Sequence, residues 1–359
     1  MHRGAARHSA ARGDMRHRAI SAIARATLPI LRRLNPELAH DLGLAGLRYV
    51  RPLWPAQNYP ADLSVRCFGL KFAHPLGLAA GFDKNGDYLD ALGGMGFSHV
   101  ELGTVTPRAQ AGNPKPRMFR IPEARALINR MGFNNKGAEH LIAQVSKSRY
   151  PGIRGISIGK NFDTPLEDAQ NDYVSCLRKV YPFADYIAVN VSSPNTAGLR
   201  DLQARDGLQR ILGALLAERL ALRERHGKRV PLLVKVAPDL TQEQIFALTQ
   251  DLRSLEVDGI IATNTSTDRD LLGSLRAAPA AAQAGGLSGA PLHPLSVMVI
   301  AQLRAELGAI FPIIGVGGIV SADQALATLR AGANLIQVYT GFAYRGPELL
   351  DEIIHALSR

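Results

Sequence analysis

The chain beyond Pro60 repeats one pattern: a short run of apolar, often β-branched residues, a polar or glycine-rich junction, and a helical stretch. Short apolar runs that alternate with helices predict parallel strands. Eight such units favour a closed (β/α)8 TIM barrel, an α/β fold of about 250 residues with the strands inside and the helices outside. The predicted strands are residues 75–80, 99–105, 155–160, 186–192, 232–237, 259–263, 313–316 and 335–339.

A doubly wound sheet is the structural alternative, and its glycine pattern would differ. Such a sheet binds phosphate at a GxGxxG turn that follows the first strand. Here the first strand ends in LAAGFDKNG, and the glycine-rich junctions GVGGI (residues 315–319) and YTGF (residues 339–342) come late. Barrels commonly bind phosphate at the loops after the seventh and eighth strands, so the pattern favours the barrel.

Polar side chains end almost every predicted strand. Any one of them is more often a turn or cap residue than a functional one. Because the carboxyl ends of barrel strands meet on one rim, where barrel enzymes place their catalytic groups, the whole set predicts an active site. A segment at residues 113–133 interrupts the second unit and is expected to form a lid-like hairpin. The strand-end residues are Lys84, Thr104, Ser157, Asn161, Asn190, Ser193, Lys235, Thr263, Asn264, Tyr339 and Thr340.

Two basic amphipathic helices are predicted ahead of the barrel. Over residues 19–34 apolar side chains recur every three or four positions, and arginines recur at sevens on another face. Pro29 is expected to kink this helix or to divide it into two shorter ones. Asn35 is expected to cap a second helix with Pro36 at its first position. That helix carries an apolar stripe of Leu38, Leu42, Ala45 and Tyr49.

The net charge of +11 is concentrated in this N-terminal part of the chain. Residues 1–51 hold ten arginines and three acidic residues, a balance of +7, which leaves +4 for the rest. Basic amphipathic helices of this kind lie in the membrane interface, with arginine facing anionic headgroups. The alternative is a helix pair packed on the main domain. A chain that starts near Tyr59 distinguishes the two, since it should be soluble without detergent only if the membrane interpretation is right.

Several classes of protein are disfavoured by composition. No run of about 18 apolar residues occurs, so a membrane-spanning helix is not expected. Basic residues are not spread over the main domain, as nucleic-acid binding would require. Cys67 and Cys176 form no metal-ligand spacing, so a reducing compartment and no metal are expected. For residues 1–14 three interpretations stay open: a disordered arm, an upstream start before a true start at Met15, or a transit peptide.

Ten ordered segments carry a resemblance to a known family. They read LGLAAGFDKNG, ELGTVTPRAQAGNPKPRMFR, LINRMGFNN, GKNFDTP, VNVSSPNTAGLR, VKVAPDL, ATNTS, GGLSG, GVGGI and YTGF. From about residue 19 to the C-terminus the chain resembles the quinone-dependent (class 2, membrane-associated) dihydroorotate dehydrogenases. The resemblance implies oxidation of (S)-dihydroorotate to orotate in pyrimidine biosynthesis, with one FMN per chain and ubiquinone or menaquinone as electron acceptor.

The resemblance implies a flavin site on the carboxyl rim of the barrel. Glycines there let backbone N–H groups approach the phosphate. Lys235 is expected at the edge of the isoalloxazine ring where negative charge develops on reduction. Ser157 stands where many relatives have asparagine, and it has a shorter hydrogen-bonding reach. The residues implied to hold FMN are Ala80, Gly81, Phe82, Asp83, Lys84, Thr104, Ser157, Asn190, Lys235, Thr263, Gly289, Gly318, Tyr339 and Thr340.

The implied substrate site combines amides with one cation. Dihydroorotate is a ring that carries a carboxylate and several amide groups. Asparagines offer donors and acceptors to such edges, and Lys84 offers charge to the carboxylate. The family's substrate positions match Lys84, Asn129, Arg130, Met131, Gly132, Phe133, Asn190, Asn195, Asn264 and Thr265.

Ser193 matches the position of the family's catalytic base. In the family's reaction a proton leaves C5 of dihydroorotate and a hydride passes from C6 to flavin N5. Serine is a weak base at neutral pH, so the proton must move on through water or a neighbouring hydroxyl, and Thr104 or Thr196 is a candidate. Ser192 is one residue out of phase and is expected to point to the other side of an extended segment.

Serine at position 193 distinguishes this chain from the soluble branch of the family. Members of that branch resemble this chain in the barrel, but they use cysteine as the base and lack the N-terminal helices. By the same resemblance, the quinone enters along an apolar channel under those helices. His40 and Arg120 match family positions near that channel, and Tyr339 borders both the flavin and the quinone sides.

These expectations divide the chain into three parts. Residues 1–18 are expected to be a disordered basic arm, residues 19–58 a helical membrane- and quinone-binding extension, and residues 59–359 the FMN-binding catalytic barrel. A monomer on the cytoplasmic face of a bacterial inner membrane is expected. The mitochondrial inner membrane is the alternative. It is less favoured, because a mitochondrial member would be expected to follow its targeting segment with a spanning helix, and the sequence predicts none.

Two other functions stay open at this point. A barrel without flavin, such as an aldolase that forms a Schiff base through Lys235, would lack the yellow colour of a flavoprotein. A membrane- or nucleic-acid-binding scaffold with an inactive barrel would show no bleaching of the flavin by dihydroorotate. The presence of Lys84, Ser193 and Lys235 argues against such a scaffold.

Overall fold

The computed structural model describes residues 23–50, 59–196, 198–200 and 205–359. The basic arm expected at residues 1–18, including the alternative start at Met15, lies outside the described residues. So do parts of the helical extension.

Eight parallel strands close into a barrel, which confirms the predicted fold class. Each barrel strand lies within two residues of its predicted bounds. The strands of the molecule are β1 (Val65–Cys67), β2 (Leu70–Phe72), β3 (Leu76–Leu78), β4 (His99–Val105), β5 (Met118–Ile121), β6 (Ala126–Asn129), β7 (Ile153–Ile158), β8 (Tyr186–Asn190), β9 (Leu232–Val236), β10 (Gly259–Ala262), β11 (Gly286–Gly289), β12 (Ile313–Val316) and β13 (Leu335–Val338). Around the barrel the order is β10, β12, β13, β3, β4, β7, β8, β9.

Helices cover the outside of the barrel, so most barrel strands are buried along their whole length and read as continuous apolar runs. The helix α7 begins with a capping box, in which Thr241 and Gln244 satisfy each other's free backbone N–H groups. The helices are α1 (residues 23–31), α2 (Pro36–Val50), α3 (Leu89–Gly94), α4 (Ala138–Val145), α5 (Ala169–Val180), α6 (Arg205–His226), α7 (Gln242–Ser254), α8 (His293–Leu307), α9 (Ala322–Arg330), α10 (Thr340–Arg345) and α11 (Pro347–Leu357).

The insertion after β4 forms the predicted hairpin. Strands β5 and β6 pair antiparallel, with Met118 opposite Asn129. A third strand, β11, pairs with β6 and was not predicted, because its sequence GLSG has neither alternation nor β-branched residues. Ile121, Ile128 and Leu287 give this sheet its own buried cluster. The sheet therefore ties the insertion to the segment that follows β10.

The N-terminal helices form a hairpin, although the expected division at Pro29 is wrong. The helix α1 continues through Pro29 to residue 31. Pro29 removes one backbone hydrogen bond, which its N–H would have donated to the carbonyl of Arg25, but this single loss does not end the helix. The alternative expectation, a kink at Pro29, stays a prediction. The predicted cap of α2 is confirmed, since the Asn35 side-chain oxygen accepts from the backbone N–H groups of Glu37 (3.0 Å) and Leu38 (3.3 Å).

One face of this hairpin packs on the barrel and the other is exposed and apolar. Ala39 and Leu44 of α2 are buried. In contrast, Ile30 is 63% exposed, and Leu38 and Leu42 are each 48% exposed. Within the described residues, no helix is long and apolar enough to cross a membrane.

Candidate functional site

A cavity opens where the carboxyl ends of the barrel strands meet. Its wall combines strand ends, the β5–β6–β11 sheet and the glycine-rich loops after β11 and β12. The predicted residues that line it are Ala80, Gly81, Lys84, Thr104, Asn129, Met131, Gly132, Phe133, Asn190, Ser193, Asn195, Lys235, Thr263, Asn264, Thr265, Gly289, Gly318, Tyr339 and Thr340.

The two neighbouring serines after β8 face different surroundings. Ser193 lines the cavity and is 6% exposed, and its hydroxyl oxygen accepts from the backbone N–H of Asn195 at 3.3 Å. Ser192 is fully buried, donates to the side-chain oxygen of Asn190 (3.2 Å) and accepts from the Asn264 amide (3.0 Å). The alternation of an extended chain therefore presents only one of these two hydroxyls to the cavity.

Lys84 brings a cation to the cavity wall. Its Nζ donates to the carbonyl of Gly81 at 2.9 Å. Burial, with a further contribution from the nearby charge of Arg117, lowers the pKa of Lys84 to about 8. An anionic ligand beside this ammonium would favour the charged form.

Amide and hydroxyl groups around the cavity hold one another in place and leave some atoms free. The Asn190 amide donates to the Thr104 hydroxyl at 2.8 Å, and the Asn195 amide donates to the Asn129 side-chain oxygen at 3.3 Å. In the described part of the chain, the buried Asn195 Oδ1 and Thr265 Oγ1 have no hydrogen-bond partner. Buried polar atoms are rarely left unpaired, so these two are suited to bind a ligand with polar edges.

Glycines with left-handed backbone shape one end of the cavity. Gly317 has φ +133° and Gly318 has φ +71°, and a Cβ on Gly318 would lie 2.4 Å from the backbone nitrogen of His293. Successive backbone N–H groups in such turns form anion-binding concavities. Beside them the Thr340 hydroxyl donates to the Ser288 hydroxyl at 2.9 Å. This end of the cavity fits a phosphate group.

The structure places four of the residues predicted to bind flavin or substrate away from this cavity. Phe82 lines a second cavity, described below. The Ser157 hydroxyl lies 2.9 Å from that of Thr104, and the side chain is fully buried beneath it. The Asp83 carboxylate accepts from backbone N–H groups of its own loop, and burial raises its pKa to about 6. Arg130 donates to the Pro116 carbonyl at 2.9 Å.

Other lining residues were not predicted individually. Ser288 and Gly317 belong to the motifs GGLSG and GVGGI, so the sequence contained a signal for them. Gln337 lies in the middle of an apolar strand and belongs to no motif, and only the barrel geometry brings it to the cavity. The additional lining residues are Ala79, Ser288, Leu292, Val316, Gly317, Ile319, Gln337 and Gly341.

The floor of the cavity carries a buried ion pair. Lys235 Nζ lies 3.5 Å from Glu101 Oε1, with the two side chains 7% and 0% exposed. The other carboxylate oxygen, Oε2, accepts from the Tyr186 hydroxyl at 3.0 Å and from the Gln337 amide at 2.9 Å. The described residues contain no cluster of His, Cys, Asp and Glu side chains that could hold a metal ion.

A second cavity of about 390 Å³ lies between the N-terminal hairpin and the barrel. Most of its lining is apolar, and its residues include Leu31, Leu42, Phe82 and Phe342. Tyr339 lines both cavities, so its ring forms part of the wall between them. Burial raises the pKa of the Tyr339 hydroxyl to about 12.

Both residues predicted for the quinone side line this second cavity. Burial, and then the charge of Lys84, lowers the pKa of His40 to about 4, so its ring is neutral at pH 7. Arg120 donates to the backbone carbonyls of Arg32 (2.7 Å) and Leu34 (3.1 Å), which joins β5 to the turn between the two helices. The second cavity thus offers an apolar space with a neutral imidazole and two arginines, Arg32 and Arg120, at its wall.

Comparison with known proteins gives consistent results. The family model described as dihydroorotate dehydrogenase matches residues 62–359. A relative named dihydroorotate dehydrogenase (quinone) from Marinobacter nauticus is 51% identical over 333 residues, which cover 92% of this chain and 97% of the relative. A relative of the same name from Xanthomonas oryzae pv. oryzae is 52% identical over 335 residues, with 92% and 95% covered.

Solved structures extend the similarity to the whole fold. A DHODH from Eimeria tenella, crystallised with ferulenol, aligns with a TM-score of 0.85 at 37% identity and covers 92% of this chain and 93% of its own. The ligand-free DHODH from the same organism gives a TM-score of 0.80 at 38% identity, with 90% and 94% covered.

Proposed function

The chain belongs to the dihydroorotate dehydrogenase family, and we propose that it oxidises (S)-dihydroorotate to orotate for pyrimidine biosynthesis, with FMN as cofactor and a membrane quinone as electron acceptor. The observation that carries this proposal is the pair of cavities that share Tyr339. One is polar and lies on the catalytic rim, and the other is apolar and lies under the exposed N-terminal hairpin. The family assignment argues against both the Schiff-base aldolase and the inactive scaffold.

Ser193 is the proposed catalytic base at C5 of dihydroorotate. It is the hydroxyl after β8 that reaches the cavity, and a serine base needs an enclosed site with a route for its proton. Thr196 has a buried hydroxyl that lacks a partner among the described residues, so it is available to relay the proton, accepting it from Ser193 directly or through water and passing its own proton on to solvent. Thr104 is less suited to this step, because its hydroxyl already bonds to Ser157 and Asn190.

Lys84 and the ring of amides orient the substrate. The ammonium of Lys84 pairs with the carboxylate of dihydroorotate, and the unpartnered oxygens of Asn195 and Thr265 meet the amide edges of the ring. These contacts fix which carbon faces Ser193. A preorganised arrangement of this kind supplies much of the rate enhancement in two-reactant steps.

The residues present fit FMN, with one molecule per chain. Gly289, Gly317 and Gly318 shape the phosphate end, and Lys235 supplies positive charge at the floor where the reduced ring is negative. Bound FMN would supply the redox chemistry, the transfer of two electrons from the substrate to the quinone. Thr104, Asn190 and Thr263 are the polar groups of the strand ends that would hold the ring.

The apolar cavity is the proposed quinone site, and the hairpin is the proposed membrane contact. Ile30, Leu38 and Leu42 form an exposed apolar face, and the cavity lies directly beneath the same helices. Such a face inserts into the acyl boundary while nearby arginines meet anionic headgroups. The proposed location is the cytoplasmic face of a bacterial inner membrane, as a peripheral monomer.

A steady-state assay that offers one acceptor at a time tests the proposal. The purified protein should be yellow, and dihydroorotate should be oxidised with a short-chain ubiquinone or menaquinone analogue in detergent. With fumarate or NAD as the acceptor, the turnover rate should be at least about 100-fold lower. Faster turnover with fumarate or NAD than with either quinone would contradict the proposed acceptor, and a colourless, inactive protein would contradict the flavin.

A further inference from the structure

Glu101 is a charged residue on the inner wall of the barrel that the proposed reaction leaves without a role. The interior around it is largely apolar and includes Ala188, Leu233 and Ile261. The Glu101 side chain is fully buried, and its carboxylate contacts Lys235 at 3.5 Å. Glu101 therefore lies one side chain away from the cavity, on the side of Lys235 that faces the barrel centre.

Glycines on adjacent strands create the space for this arrangement. Gly155 pairs with Glu101 across β4 and β7, and a Cβ on Gly155 would lie 2.1 Å from the ring of Tyr186. The absence of that Cβ lets the Tyr186 ring lie over β7 and bring its hydroxyl to the carboxylate on β4. Gly77 gives His99 space in the same way, with ring atoms 2.2 Å from the Cβ it lacks. The barrel interior is thus shaped around polar side chains.

A contribution to folding stability does not by itself explain the Glu101–Lys235 ion pair. Replacing a buried ion pair by apolar residues of similar volume is often neutral or stabilising, because burial costs each charge its hydration. The barrel nevertheless has a carboxylate with three donors around it, from Lys235, Tyr186 and Gln337. Neighbouring His99 adds no charge, since burial lowers the pKa of its ring to about 3.

We propose that Glu101 is a positioning residue that fixes the ammonium of Lys235 at the cavity floor and balances its charge, and thereby sets the reduction potential of the bound flavin. This inference rests on the proposed function. A carboxylate at contact distance offsets much of the lysine's field at the cavity. Removing its charge leaves the lysine uncompensated, which favours the negatively charged reduced flavin.

The midpoint potential of the FMN-loaded protein at pH 7 tests this inference. Glu101→Gln keeps the shape of the side chain and removes its charge. We expect the potential to rise by about 30 mV or more, which corresponds to a tenfold change in the two-electron equilibrium. An unchanged or lowered potential would overturn the inference.

A second pair of variants asks whether Glu101 acts through Lys235. In a Lys235→Met background there is no ammonium for Glu101 to position, so Glu101→Gln should shift the potential by less than it does with lysine at position 235. If Glu101→Gln shifts the potential equally with lysine and with methionine at position 235, the positioning role is wrong. FMN affinity of the apoprotein, measured by quenching of FMN fluorescence, gives an independent readout.

Tyr186→Phe is a second variant that tests the same inference if Glu101→Gln does not fold. It removes a donor to the carboxylate without changing any formal charge. The less neutralised carboxylate should lower the potential, opposite in sign to Glu101→Gln, and a rise would count against the inference. Wild-type protein that binds no FMN contradicts the proposed function itself. Wild-type protein with normal flavin and turnover, but a potential insensitive to these variants, contradicts only the role of Glu101.

Discussion

Ser193 and Ser192 are adjacent, yet only the first lines the cavity. We expect Ser193→Ala to lower kcat for dihydroorotate oxidation by at least about 100-fold, the usual contribution of a general base, and to leave FMN bound. Rapid mixing with dihydroorotate, monitored by flavin absorbance, measures the rate of flavin reduction directly. A variant that reduces its flavin at the wild-type rate would remove Ser193 from the mechanism.

Ser192→Ala is the matched control for that experiment. It removes the same hydroxyl group from the neighbouring position, where the hydroxyl bonds to Asn190 and Asn264 rather than facing the cavity. Because those amides are proposed to orient the substrate, the control should raise KM more than it lowers kcat.

Lys84 gives the site a dependence on pH that has a definite sign. With a pKa lowered to about 8, its ammonium loses its proton as the pH rises through that value. Orotate carries a carboxylate that needs the charged form, so its affinity should fall with rising pH, by up to about tenfold for each unit above 8. Titration of the flavin spectrum with orotate between pH 6.5 and about 9.5 measures this. Affinity that stays constant over that range, or that declines in the same way in Lys84→Met, would contradict the assignment.

Individual residues differ in how well the sequence could predict them. Residues that end strands, such as Lys84, Ser193 and Thr263, were predictable because barrel topology brings strand ends together. Ser157 was predicted together with the strand-end residues, but its short side chain bonds to Thr104 and stays beneath the cavity floor. The contacts of Glu101 are between strands far apart in the sequence, so no local pattern predicts them.

At the scale of elements, the N-terminal hairpin combines an exposed apolar face with a buried attachment. We expect Ile30→Gln combined with Leu42→Gln to weaken binding to vesicles with anionic lipids by roughly tenfold or more, since two partly exposed aliphatic side chains no longer insert. Co-sedimentation with vesicles measures this. Ile310→Gln is the control, because Ile310 is 95% exposed but precedes β12 at the opposite end of the barrel. An equal loss of vesicle binding in the hairpin variant and in Ile310→Gln would contradict the proposed membrane contact.

The attachment of the hairpin depends on a buried ion pair between Glu37 of α2 and Arg117. Burial raises the pKa of Glu37, but hydrogen bonds from Arg117 and Lys115 outweigh it and the net pKa is lowered. Glu37→Gln leaves Arg117 without its counter-charge and should lower the free energy of unfolding by about 3 kcal/mol. Urea unfolding, monitored by the release of flavin, measures this free energy. Asp270→Asn, which breaks an exposed pair with Arg276, should cost less than about 1 kcal/mol. Equal costs would show that the Glu37 pair does not anchor the hairpin.

Elements were more predictable from the sequence than their contacts were. The eight barrel strands follow from apolar runs with turn residues at their ends, and the cap at Asn35 follows from local chemistry. Strand β11 was missed because its glycines carry no strand propensity, and it forms only because β6 offers a free edge. The expected division at Pro29 was wrong, because the loss of a single backbone hydrogen bond need not end a helix.

The whole molecule places two chemically different cavities on either side of Tyr339. The polar one suits a charged, hydrogen-bonding substrate, and the apolar one suits a lipid-soluble acceptor. Among the described residues, Tyr339 alone lines both cavities, so the polar substrate and the apolar acceptor of the proposed reaction have separate sites. The proposed reaction therefore divides into two half-reactions at separate sites.

Anaerobic rapid-mixing absorbance spectroscopy tests this division most directly. Dihydroorotate added to the protein in detergent should bleach the flavin bands, and a quinone analogue added afterwards should restore them. Excess orotate should slow the first step and leave the second unchanged. Bleaching that fails with dihydroorotate, or restoration by quinone that orotate blocks in proportion to its occupancy, would contradict the account.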